Sequence, residues 1–221
     1  MPGEGIPSLI RQKAGTELVE IQTRDVLREI CNIGVGSCMT SLSHLIGKEV
    51  RYSVSYSNEL EDYGDMTDWF SQADEYVAGV TVPFEGDIEG AVLLIYQPAM
   101  ADVILNRTFE CDPDWENHGD EMLDMIRETA NIMASSYLAS LSAYTSWHIK
   151  AGCSAASTDM VGAMISEVAG RAINADRLVF CTGSSFGTEE EGLGSCMLMM
   201  LHEHSIPGFL EALEDEICAR E

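Results

Sequence analysis

Apolar and polar positions recur along this chain with two periods, and the switches between them mark out its elements. A helical period runs from Glu17, and Gly47 closes it as a C-cap signal. KEVRYSVSY, from Lys48, predicts a strand, and the acidic, aromatic run Asn58 to Glu75 predicts a loop. EYVAGVTVPF and IEGAVLLIYQ predict a β-hairpin around Glu85-Gly86-Asp87. Pro98 opens a short helix, PAMADVILNRTF, and CDPDWENHGD links it to the second half. That half begins with a long helix over Glu121 to Tyr144, followed by strand-like WHIKAGCSA. SAASTDMVGAMISEVAGRA predicts a further helix, with Ser157 or Thr158 as cap and Gly170 near its end. DRLVFCTGSSF and GSCMLMMLHE are two more strands around the acidic loop GTEEEG, and Ser205-Ile206-Pro207 starts a closing helix.

One stretch occurs twice. Asp25 to Ser43 reads DVLREICNIGVGSCMTSLS, and Asp124 to Ser142, ninety-nine residues later, reads DMIRETANIMASSYLASLS; nine of the nineteen positions are identical. A repeat of this kind sets the architecture: two copies of a half-domain rather than a solenoid array. At about 100° per residue, Asp25, Glu29 and Asn32 share an arc of about 60°, with Val26, Ile30 and Ile33 well round the cylinder from them. Asp124, Glu128 and Asn131 repeat the arrangement. Each helix is therefore expected to bury an apolar stripe, Ile33 included, and to hold an Asp, a Glu and an Asn towards solvent. The stripe explains folding but not the Asn, whose side chain competes for backbone hydrogen bonds in a helix.

The doubled D-x-x-x-E-x-x-N, followed by Ile33-Gly34 in the first copy, resembles the CheC-type chemotaxis phosphatases, whose relatives include CheX and FliY. NIGVGSCMTSLSHLIGKEV and ANIMASSYLASLSAY are similar to that family's two active-site helices, and the likeness runs from about Arg24 onwards. It implies an α/β (α+β) fold with a pseudo-two-fold internal repeat and one shared, largely antiparallel sheet, the motif helices lying on a common face. It implies that Glu29, Asn32, Glu128 and Asn131 act on the phosphorylated response regulator CheY, with Asp25 and Asp124 associated with the motifs. The family pattern also places a Pro twenty-three residues after each Asn, where this chain has Ser55 and Ser154.

The chemistry fits those residue types. Hydrolysis of an aspartyl-phosphate needs an in-line water and stabilised charge. An amide side chain donates to and accepts from water at once, which suits Asn to position it. A carboxylate repels phosphate, so Glu better pairs with a lysine of the regulator. Mg²⁺ is expected on the phosphorylated partner, and the chain needs no cofactor of its own. The alternative function is a non-catalytic or weakly catalytic adaptor that binds and regulates the deamidase CheD; a flagellar-switch role like FliY's ranks third. The segment from Asp159, with Met160 and Met164, reads as core packing first and as a docking face for such a partner second.

Composition narrows the remainder. With 221 residues and 46% hydrophobic content, a single domain over residues 17–221 is expected, built of half-repeats at about 24–110 and 120–221 behind a loose lead-in of residues 1–16. A net charge of −25 argues against nucleic-acid and anionic-membrane partners. Seven scattered cysteines without a C-x-x-C read as reduced thiols of a cytoplasmic protein, and no apolar run reaches membrane-spanning length. GSSFG around Ser185 matches a nucleophile-elbow pattern, but its strand runs into a loop, not a helix. His202-Glu203-His204 lacks further ligands at metal-site spacing.

Overall fold

The computed structural model describes residues 17–55, 76–145, 147–170, 178–190, 192, 194–205 and 208–209, the side chains of 17–28, 30, 55, 166–170, 178–182 and 203 aside. Its strands are β1 (Arg51–Ser55), β2 (Tyr76–Gly86), β3 (Gly90–Tyr96), β4 (Ile149–Ala151), β5 (Ala155–Met160), β6 (Leu178–Gly187) and β7 (Ser195–His202). Its helices are α1 (Glu17–Ile46), α2 (Pro98–Thr108), α3 (Trp115–Thr145) and α4 (Val161–Gly170). The expected lead-in, the acidic loop 58–75 and the closing helix beyond Phe209 lie outside the described residues.

All seven strands join one antiparallel sheet in the order β1-β6-β7-β3-β2-β4, with β5 also on β2. The order is a palindrome of the two halves. The β2–β3 and β6–β7 hairpins meet at the centre through β3 and β7. The lone strand of each half then lies on the other half's hairpin: β1 on β6, and β5 on β2. The anticipated pseudo-two-fold, shared antiparallel sheet is thus present.

Pro83 shapes one edge. It has no N–H to give a ladder, and the edge strand opposite it breaks between Ala151 and Ala155 into β4 and β5, where Gly152 N donates to the Pro83 carbonyl at 2.8 Å. Ser154 lies in this break, whereas Ser55 is the last residue of β1.

Both sheet faces are covered, so β3 is buried along its whole length, as a central strand should be. On one face, α1, α2 and α3 pack over Val80, Val82, Val92, Leu94, Met197 and Met199. On the other, Val161, Met164 and Ile165 of α4 cover Leu93, Ile95, Cys196 and Leu198. The helix expected from Ser154 is corrected here. Residues 155–160 form an edge strand, in which Ser157 and Thr158 pair with Gly79 and Ala78 rather than capping a helix. Small, polar AASTDM carries no core stripe of its own, and pairing with β2 decides its conformation. The α3 helix also starts earlier than expected, at Trp115, with non-helical backbone at His118 dividing off its first turn.

Candidate functional site

The site begins with two helices that bury the same positions. Cys31, Val35, Cys38, Met39 and Leu42 of α1 are buried, as are their counterparts ninety-nine residues on, Ala130, Ala134, Tyr137, Leu138 and Leu141 of α3. Glu29 and Glu128 are exposed; Asn32 is exposed and Asn131 half-buried. The side chain of Asp25 is not described, while Asp124 accepts a hydrogen bond from Arg127 Nη2 at 2.8 Å along its own helix.

The expected placement of Ile33 is overturned. It is 38% exposed, and its counterpart Ile132 is 39% exposed. The buried stripe runs through Cys31, Val35, Cys38 and Leu42, and at about 100° per residue Ile33 points almost directly away from it. Each Asn is thus followed by an isoleucine turned to solvent. Sequence reasoning missed this, although the paired recurrence of Ile beside Asn was the signal.

α1 and α3 run antiparallel. Ser41 and Ser136 hydroxyls meet at 2.7 Å, and towards the start of α1 the Tyr144 hydroxyl of α3 donates to Glu29 Oε1 at 3.1 Å. Gly34 permits the approach, because a Cβ there would lie 2.7 Å from the Tyr137 ring. Nine helical residues separate Asn32 from Ser41, so Asn32 lies on the flank of α1 turned away from α3. Counting from the serine contact, Asn32 is level with Thr145, about fourteen residues from Asn131, or about 20 Å along the helices at 1.5 Å per residue. The repeat therefore makes two separate Glu/Asn sites, not one composite site.

The remaining candidates divide. Asp159 and Met160 end β5, half-buried and exposed respectively, whereas Met164 is buried in α4 over Gly79, whose Cβ would meet its sulfur at 2.3 Å. Met164 is a packing residue. Ser185 sits within β6, paired with Ser53 and Cys196, and so is on no elbow. The His202 and His204 rings stack at 5.7 Å, and among the described residues no group of three or more His, Cys, Asp or Glu gathers as a metal would require. No described helix is long and apolar enough to cross a membrane. Burial pushes the Cys38 and Cys196 thiols far above their ordinary range, which removes them as nucleophiles.

A family model described as the CheC-like family matches residues 23–54, which hold the first motif and β1 up to Val54. The chain is 29% identical over 154 residues to the CheY-P phosphatase CheC of Bacillus subtilis (strain 168), covering 67% of this chain and 72% of that protein. By both comparisons the chain is similar to the CheC-like family. Solved structures agree on the CheC-like fold. FliY of Thermotoga maritima superposes with a TM-score of 0.58 at 18% identity, over 87% of this chain and 96% of that one. The chemotaxis protein CheX of Vibrio vulnificus superposes with a TM-score of 0.54 at 14% identity, over 79% and 99%.

Proposed function

We propose that this chain accelerates hydrolysis of the aspartyl-phosphate of the chemotaxis response regulator CheY. The observation that carries the reading is the doubled placement of Glu and Asn on the outer sides of α1 and α3, each pair beside an exposed isoleucine. The relative named as a CheY-P phosphatase supports it.

In this reading Asn32 or Asn131 holds a water in line with the phosphorus, its carbonyl accepting from the water and its NH₂ donating to the phosphoryl group. Glu29 or Glu128 pairs with a regulator lysine, which orients the docked protein and places the Asn. Ile33 and Ile132 offer apolar contact beside each site. Mg²⁺ arrives with the regulator.

The test is the decay of phosphorylated CheY with Mg²⁺, with and without the chain. Asn32→Ala with Asn131→Ala is expected to reduce stimulated decay by about a hundredfold or more while leaving the circular dichroism spectrum unchanged, since misplacing the attacking water costs on this order. Retained activity in that folded double variant would sink the role of both residues. Tight binding of CheD, surviving both substitutions with no turnover by the unmodified chain, would favour the adaptor reading instead.

A further inference from the structure

The two sites share a motif but not a neighbourhood. At the first, the Tyr144 hydroxyl reaches from the end of α3 to Glu29 Oε1 at 3.1 Å, across 115 residues of sequence. Applying the ninety-nine-residue offset, the counterpart of Tyr144 is Leu45 near the end of α1. Leu45 is half-buried and has no donor, so Glu128 lacks this tether. Duplication kept both carboxylates and both amides while it let the residue opposite the carboxylate diverge.

We infer that Tyr144 is a positioning residue for Glu29 and that it makes the two sites unequal, the first being pre-organised for the regulator. This rests on the phosphatase reading above. A carboxylate accepts through two oxygens with about four lone-pair directions. The bond from Tyr144 therefore restrains the Glu29 rotamer without using up its acceptor directions. Restraint before docking lowers the ordering cost of binding, so the benefit falls on KM more than on kcat.

The experiment separates the sites. The Asn131→Ala chain leaves the first site to work alone, and the Asn32→Ala chain leaves the second. Adding Tyr144→Phe is expected to raise KM for phosphorylated CheY about three- to tenfold in the Asn131→Ala background, the range for one partly exposed hydrogen bond. It is expected to leave the Asn32→Ala background unmoved. Equal effects in both backgrounds would reveal a merely structural role and overturn the inference, as would no effect in the first. Tyr144→Phe should also add nothing once Glu29→Ala is present, and an undiminished effect there overturns it too. If the unmodified chain binds CheY without turnover, the phosphatase reading and this inference fall together. A chain that neither binds CheY nor speeds its decay would overturn the phosphatase reading and this inference with it. That result is distinct from a failure of Tyr144 alone.

Discussion

Cys153 is exposed, while Cys31, Cys38 and Cys196 are buried, two of them with thiols held protonated by burial. Only a thiolate that solvent can reach reacts readily with an alkylating reagent. Brief iodoacetamide treatment of the folded chain should therefore modify Cys153 at least about tenfold faster than those three, read by peptide mass spectrometry. Rapid labelling of Cys38 in native conditions would contradict the packing of α1 against Met197, whose sulfur lies 3.6 Å from the thiol. At this scale the sequence was uneven. Glu29, Asn32, Glu128 and Asn131 stood out because they recur at one offset. Tyr144 did not, because its partner lies on another helix and its own counterpart is a leucine. The exposure of Ile33 was hidden for a related reason: an apolar residue beside a motif looks like core until the neighbouring stripe is known.

Among elements, the α1–α3 pairing depends on a glycine that helix propensity alone would disfavour. Replacing a mid-helix glycine by alanine should gain about 1 kcal/mol. At Gly34, however, the new Cβ would press on the Tyr137 ring, and that ring is fixed by its hydroxyl, 2.9 Å from the Met199 sulfur in the core. Gly34→Ala is expected to destabilise the chain by about 1–3 kcal/mol, the usual cost of overpacking, with urea unfolding as the measure. Gly36→Ala is the control. Its Cβ would meet only the hydroxyl end of the exposed Tyr52, at 3.2 Å, and it should be neutral or stabilising. Most elements were legible from periodicity, including the β2–β3 hairpin and both long helices. β5 was not, since AASTDM runs without punctuation into the apolar periodicity of α4. A strand whose partner lies some eighty residues earlier leaves no local trace.

For the whole molecule, the deciding feature is that each half completes its sheet with a strand of the other. A fragment of residues 17–110 retains β1, β2 and β3 but loses β6, β7 and β5, which pair with all three. It also exposes the sheet face that α3 covers. Such a fragment should show no cooperative unfolding transition by itself, and mixing it with residues 111–221 should restore one if the halves can assemble in trans. An independently folded fragment would mean that the half-repeats are domains in their own right. These fragments test the single-domain expectation drawn from the repeat.

The same interleaving sets a clock on biosynthesis. β1 emerges early, yet the residues it pairs with, Gly183 to Gly187, are translated more than a hundred residues later. At roughly 5–20 residues per second, an open strand edge awaits its partner for about 6–25 s. During that interval the nascent chain carries a template for wrong pairing, a hazard of synthesis that the finished sheet, with β1 closed by β6, no longer shows.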